Sequence, residues 1–390
     1  MTNADRPRLS RRGFLATSAA ASVAASVTGL GLAGSASGAE PSGAVPAGRR
    51  AGRAGGFVDA VLAALSRHRL VAVGEGGTHG LQEHFDALTA LLTDPRLPGL
   101  VDAVVVEFGN ARYQQTVDRF IAGGAVEDAD LRPVWRDTTQ SPLGTWDQPV
   151  FEQFYRTVRG VNRLLPADRR IRVLLGEPPI DWPAVTTRDQ LVAFQVQRDT
   201  HAASVVQREV LAAGRRALIC YGAPHLLHAP SAAAAVTSGG LVVLVERQTG
   251  VRVHVIATLV PLAGDPGGLG ARLAATPAGT VIPAAGTWLA SFDAGLVFPA
   301  VPFGIPGGTP TNVMCGVPLG ALIDAGLHLG LAEHLTVSRE NPAVYLDDAY
   351  WAELHRRNDL QGGVVNLNTY RQQQTVRFAP QSLPDQLLCP

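Results

Sequence analysis

Two histidines in this chain share a setting that could support proton transfer. Gly76-Gly77-Thr78-His79 and Gly222-Ala223-Pro224-His225 each place an imidazole three residues after a glycine, just past a short apolar run. Glu75 closes the first of those runs, and Glu107 closes another, Val101 to Val106, that lies between them in the chain. An imidazole and a carboxylate held together can activate water by taking its proton, or can hold a divalent metal. Glu75, His79, Glu107 and His225 are therefore the candidate catalytic centre, and the same four are the ligand set if a metal is present.

For these side chains to meet, each must leave the same edge of one sheet. The apolar runs Leu70 to Val73, Val101 to Val106, Ile171 to Leu175, Ala217 to Tyr221 and Leu241 to Glu246 read as five strands. Between them lie stretches with helical spacing: Val58 to Leu65, Leu81 to Leu92, Tyr113 to Ala122, Val150 to Leu165 and Asp189 to Ala213. Strand alternating with helix predicts an α/β fold, a mainly parallel sheet flanked by helices and joined by right-handed crossovers. Ligands of such sheets collect beyond the carboxyl ends of the strands, where Glu75, Glu107, Glu177 and His225 fall. From about residue 260 Gly, Pro and Ala dominate, and helical spacing returns at Leu319 to Leu331 and Asp347 to Arg357. One α/β domain over residues 56–390 is expected, with an irregular C-terminal extension from about residue 260 that completes its core.

Further residues could line a substrate pocket. Glu83 shares a helical face with His79, and Glu177 and Asp181 follow the third strand in Gly-Glu-Pro-Pro-Ile-Asp. The long polar segment from Leu131 to Pro149 carries Trp135 and Trp146, a length at which loops often act as lids or binding loops. His228 could extend a metal site, although a lone additional histidine is more often a hydrogen-bonded or surface residue. Cys220 sits in an apolar strand and reads as inert core. With Cys315 and Cys389 it makes too few and too scattered cysteines for a disulfide framework or a zinc knuckle.

Composition excludes several chemistries. All 33 basic residues are arginine, so the lysine of a pyridoxal-phosphate Schiff base, a P-loop or a Ser-x-x-Lys acylase is missing. No Gly-x-Ser-x-Gly elbow and no His-Glu-x-x-His helix is present. The formal net charge is +0, which leaves no basic field for nucleic acid. Ser10-Arg11-Arg12-Gly13-Phe14-Leu15, a weakly apolar Ala-rich stretch and Ser37-Gly38-Ala39 together resemble a twin-arginine export signal. The expectation is a signal over residues 1–39, a disordered stem over 40–55, and a mature chain in the cell envelope or outside the cell with no membrane span. The export machinery would then be its partner, beside a small-molecule or peptide substrate.

The opening cluster resembles a known motif. A strand followed by Gly74-Glu75, then Thr78-His79-Gly80, then Glu83, is similar to the start of the erythromycin esterase-like proteins. These belong with the haem-binding ChaN-like and the TraB/Tiki proteins in one broad superfamily. Val104 to Glu107, the segment Tyr113 to Phe120 and a late strand followed by a histidine match as well, so the resemblance spans about residues 68 to 230. The late Tyr221-Gly222-Ala223-Pro224-His225-Leu226 departs from the Ala-His-Asn type of the esterase-like members and is similar to the Gly-x-x-His of the TraB/Tiki branch. The resemblance implies a shared acid and histidine centre at Glu75, His79, Glu107 and His225, in a hydrolase acting on an ester, lactone or amide. It also implies two alternatives. One is a divalent-metal peptidase of Tiki-like type; the other is a non-catalytic haem- or ligand-binding envelope protein of ChaN-like type, with His79, His225 or Tyr221 as haem ligands.

Overall fold

A computed structural model describes residues 55–143, 146–228, 240–299, 312–338, 340, 342–368, 370, 379–384 and 387–389. The arginine pair, the cleavage point and nearly all of the expected stem lie outside the described residues. Seven strands form one sheet: β1 (Leu70–Glu75), β2 (Ala103–Asn110), β3 (Arg172–Glu177), β4 (Ala217–Gly222), β5 (Val253–Thr258), β6 (Thr280–Pro283) and β7 (Ala325–His328). Their order is β3-β2-β4-β1-β5-β7-β6, and every pairing is parallel except β6 with β7. The protein is thus an α/β fold on a mainly parallel sheet. β1, β2 and β4 are buried at every position, which explains why they read as unbroken apolar runs.

Helices cover both faces. The longer ones are α1 (Gly55–Arg67), α2 (Gln82–Leu92), α3 (Gln114–Ile121), α6 (Pro149–Arg163), α7 (Arg188–Gln195), α8 (Arg198–Val205), α10 (Leu241–Thr249) and α12 (Asp348–Leu360). Short turns of helix, α4 (Asp128–Leu131), α5 (Pro133–Arg136), α9 (Ala223–Leu226) and α11 (Leu269–Leu273), fill the connections. On one face Phe85, Leu88, Phe151, Phe154 and Val158 pack against Val71, Val104 and Val173. On the other, Ala202, Val206, Val242 and Val245 pack against Ala72, Val105 and Ile219.

Three sequence expectations change here. Leu241 to Glu246 is helix α10, bounded by Gly240 and by Gly250 in the left-handed region at φ 69°, and the strand of that region is Val253–Thr258. The single helix expected over Asp189 to Ala213 is broken into α7, α8 and a π-helical turn, Val206–Leu211. Leu319 to Leu331 holds a 3₁₀ turn and β7 rather than a helix, so the Gly- and Ala-rich region past residue 260 supplies two strands of the sheet. Cys315 and Cys389 are joined in one disulfide, a lone bridge rather than a framework, while Cys220 is free and buried as expected.

Candidate active site

Parallel register brings the strand ends level. Glu75 at the end of β1 pairs with Gly222 at the end of β4, and Val106 of β2 pairs with Cys220, two residues before Gly222. The β2–β3 register then shifts between Val106 and Asn110, an irregularity that re-aims the residues within it, Glu107 among them. The four candidate residues meet beyond these ends. His79 Nδ1 donates to Glu75 Oε2 at 2.8 Å, and His225 Nε2 lies 3.5 Å from Glu107 Oε1. Glu107 Oε2 accepts the Gly222 N–H at 2.6 Å.

Two glycines make this approach possible. A Cβ on Gly222 would sit 3.0 Å from His79 Cε1 and 3.3 Å from Glu107 Oε2, so only a bare backbone lets the imidazole and the carboxylate close over β4. Gly80 takes φ 79°, which bends the chain so that the Gly80 and Leu81 N–H groups both donate to Glu75 Oε1, at 2.7 and 3.1 Å. Glu75 therefore has one oxygen on two backbone donors and the other on His79. That arrangement fixes the carboxylate and holds the His79 ring by its Nδ1.

Two residues that the sequence pattern did not single out complete the centre. Arg198, on the first turn of α8, donates to Glu107 Oε1 and to Glu177 Oε1, each at 2.6 Å. Its neighbour Asp199 accepts from His225 Nδ1 at 2.8 Å. Each histidine thus has an orienting carboxylate on Nδ1, Glu75 for His79 and Asp199 for His225. Nothing in spacing or hydropathy marks Arg198-Asp199, since adjacent opposite charges on a helix ordinarily face water.

The loop before α6 closes over the site. Gln140 Nε2 donates to Glu107 Oε1 at 3.1 Å, Thr139 N–H and Oγ1–H both reach Glu177 Oε2, and Trp146 meets the His79 ring edge-on at 4.5 Å between centroids. Trp146 holds φ 46°, a region that disfavours a bulky L-residue, and its indole N–H donates to Thr138 Oγ1 at 3.1 Å. Of the expected pocket residues, Trp146 and Glu177 are in contact with the centre. Glu83 is not: its carboxylate caps the Thr336 N–H and hydroxyl, because α2 starts at Gln82 and carries Glu83 away from His79. Asp181 pairs with Arg112 at 3.1 Å, and Trp135 stacks on Tyr155 within the core, so both stand apart from the centre. His228 is neither exposed nor a fifth member of this group; it is buried between Glu246 and Asp324.

Electrostatics divide the roles. Burial pushes the Glu107 carboxyl up, but the fields of His225, His79 and Arg198 and the Gly222 N–H outweigh it and hold the group down at about 2. Glu107 is a fixed anion at neutral pH. Burial pulls His79 down while the Glu75 hydrogen bond and the Glu107 charge raise it, and the imidazole ends above its ordinary value. His225 ends raised in the same way, burial being overcome by Asp199 and Glu107. His84, also buried nearby on α2, is lowered by burial and stays neutral against Thr258 Oγ1. Among the described residues no group of three or more His, Cys, Asp or Glu is arranged to hold a metal ion, since the carboxylate oxygens that would serve are taken by N–H donors and by Arg198. Haem ligation fits this arrangement poorly. The His225 Nε2 faces the Glu107 carboxylate, the His79 ring closes over Gly222, and Tyr221 is buried with its hydroxyl against the Cα of Gly176.

No protein-family model matches the sequence, and no curated protein is similar to it in sequence. Solved structures with a distant likeness include the type III effector HopBA1, at 15% identity and a TM-score of 0.35, covering 52% of this chain and 83% of that one. ChaN of Campylobacter jejuni, whose structure shows cofacial haem binding, is 12% identical with a TM-score of 0.33, over 51% of this chain and 85% of its own. A Bacillus cereus protein is 11% identical with a TM-score of 0.40, over 67% and 88%. Likenesses at this distance bring neither a ligand nor an activity to this chain.

Proposed function

We propose that the protein is a hydrolase that activates water with the His79 and His225 imidazoles, cleaving an ester, lactone or amide. The observation that carries this reading is the paired arrangement: two imidazoles, each held through Nδ1 by a carboxylate at 2.8 Å, on either side of an ionised Glu107. With Nδ1–H given to Glu75 or Asp199, a neutral imidazole keeps its lone pair on Nε2, where it can accept a proton. One imidazole takes the proton of the attacking water as its oxygen bonds to the carbonyl carbon. The other, protonated, gives its Nε2 proton to the leaving oxygen or nitrogen as that bond breaks, so an acid and an alcohol or amine are released. Glu107 stabilises whichever imidazole is charged. Raised proton affinities place both groups nearer neutral pH than a buried imidazole without anions would be.

The resemblance to twin-arginine signals at Arg11 and Arg12 supports export to the envelope or beyond, and a disulfide suits an oxidising compartment. None of the described helices is long and apolar enough to cross a membrane. The experiment is a panel of esters, lactones and peptides assayed with the wild type, His79→Ala and Asp199→Asn, beside a visible-absorption scan after incubation with haem. Turnover that falls by about 10²-fold or more in both variants, with folding retained, supports the proposal. Absence of turnover across the panel, together with tight haem binding that His79→Ala abolishes, would replace it with the haem-binding reading.

A further inference from the structure

A second cluster of titratable groups lies away from the centre but only three residues from His225. His228 is 3% exposed, and its two ring nitrogens face two different carboxylates: Nδ1 lies 3.2 Å from Glu246 Oε2 on α10, and Nε2 lies 3.0 Å from Asp324 Oδ2 just ahead of β7. A carboxylate oxygen only accepts, so both contacts are hydrogen bonds only when both nitrogens carry protons. A neutral ring would turn a lone pair towards one of the two anions. Charge bookkeeping points the same way. Arg252, ahead of β5, meets Asp324 Oδ1 at 3.0 Å and Glu246 Oε1 at 3.9 Å, so two anions face one permanent cation and His228 supplies the second.

The remaining groups on the packed elements do not take that place. His254 on β5 has Nδ1 3.9 Å from Asp324 Oδ2, but burial lowers its proton affinity, and it stacks at 4.9 Å on His68, with Arg67 adding a further positive field. The cluster also holds backbone. The Val253 N–H donates to Glu246, the Val255 N–H to Asp324, and the His228 N–H to the Leu322 carbonyl at 2.9 Å. The turn that follows β4 is therefore tied to α10 and to the start of β7 through the His228 side chain, beside the backbone bond to Leu322. Leu226 and Leu227, between the two histidines, are both buried.

We propose that His228 is a proton-dependent positioning residue: as an imidazolium it pins the turn that carries His225 to α10 and to the start of β7, and loss of its proton loosens that turn. The inference rests on the hydrolase reading only in taking His225 as a working group. Its direction with pH follows from the sign of the linkage. Burial lowers His228 but the bonds to Asp324 and Glu246 raise it above its ordinary 6.5, so its contribution is complete below pH 6.5 and is lost as pH rises through the raised value.

The test reads structure rather than turnover, so its failure leaves the proposed function standing. Imidazole ring signals of labelled protein are followed by NMR from pH 5 to 9, with His228 identified by its loss in His228→Gln. The expected midpoint lies above that of free histidine. Hydrogen exchange of the amides of residues 223–228, corrected for intrinsic rate, should lose protection above pH 6.5, by at most about tenfold per pH unit for one proton. His225 titrates in the same segment, so the comparison is repeated in Asp199→Asn, where the His228-dependent loss should persist. Asp324→Asn, which keeps an acceptor for Val255, serves as the second variant and should flatten the pH dependence while lowering protection at pH 6. A His228 midpoint at or below the free value, or protection at 223–228 that does not change with pH in the wild type, would overturn the inference.

Discussion

Replacing Glu107 by Gln keeps the shape of the side chain and removes the charge on which both histidines depend. The energetic consequence can be worked from the carboxyl itself. A group whose proton affinity falls from the ordinary 4.5 to about 2 on folding stabilises the folded chain by about 3 kcal/mol once ionised, at about 1.4 kcal/mol for each pH unit between the two values. Glu107 is 1% exposed, so solvent screens little of this. The sign is that of a depressed carboxyl: the contribution is whole above pH 4.5 and is lost as pH falls to 2. The Gln variant should therefore be less stable than wild type by about 3 kcal/mol at pH 5 to 6, and the two should converge near pH 2. Above pH 6.5 the gap should narrow somewhat, because the raised affinities of His79 and His225, which also depend on Glu107, cease to contribute as those rings lose their protons. Urea denaturation at a series of pH values, with the disulfide intact, measures the difference directly. Parallel stability curves for the two proteins between pH 2 and 5 would refute the assignment of Glu107 as a fixed buried anion.

Gly222→Ala should cost about 1–3 kcal/mol, because its methyl would meet the His79 ring at 3.0 Å, whereas Gly160→Ala on α6, where nothing lies within 4 Å, should be neutral or stabilising; urea denaturation of both decides whether close approach is the cause. Cys315→Ser should lower stability by about 2–4 kcal/mol, since the bridge to Cys389 spans 74 residues, and reductant should abolish the difference from wild type; equal stabilities without reductant would refute the pairing. Replacing Arg11 and Arg12 by Ala should leave unprocessed chain in the cytoplasm, read by fractionation and mass, and normal processing of that variant would remove the export assignment.

How far the sequence revealed the site depends on which element carries each residue. Glu75 ends β1 and His225 follows β4 by three residues, while Glu107 lies inside β2, which runs on to Asn110; all three strands are buried along their whole length, and an apolar run that meets an acid or a Gly-x-x-His is visible without a structure. Arg198 and Asp199 are invisible by the same logic. They reach the centre because α8 packs across β3 and α10, a tertiary fact that local charge pattern does not encode. Glu83 was misplaced because a helical-face argument presumed that the helix opened at His79, when Gly80 intervenes and the first helical residue is Gln82. Leu241 to Glu246 misled for a different reason. Leu-Val-Val-Leu-Val suits a buried helix as well as a buried strand, and only the glycines at residues 240 and 250, nine residues apart at their inner edges, mark the length of a helix. The true β5 carries His254, which interrupts its apolar pattern.

The balance of charge at the centre bears on what can be cleaved there. Glu75, Glu107, Glu177 and Asp199 are all within hydrogen-bonding reach of Arg198 or a histidine, and Arg198 is the only permanent cation among those contacts. Its guanidinium is shared between Glu107 and Glu177, so it has little left to offer a ligand. The N–H groups of Gly80, Leu81 and Gly222, the natural candidates for an anion cradle, already serve Glu75 and Glu107. Even with both imidazoles protonated the carboxylates outnumber the positive groups, and protonation of the histidines is what brings the centre closest to neutrality. A phosphoester would enter a field in which carboxylates outnumber cations even with both imidazoles protonated, whereas an uncharged carbonyl meets an imidazolium without that penalty. The same field that raises the two histidines therefore selects, within the hydrolase reading, for esters, lactones and amides over phosphorylated substrates.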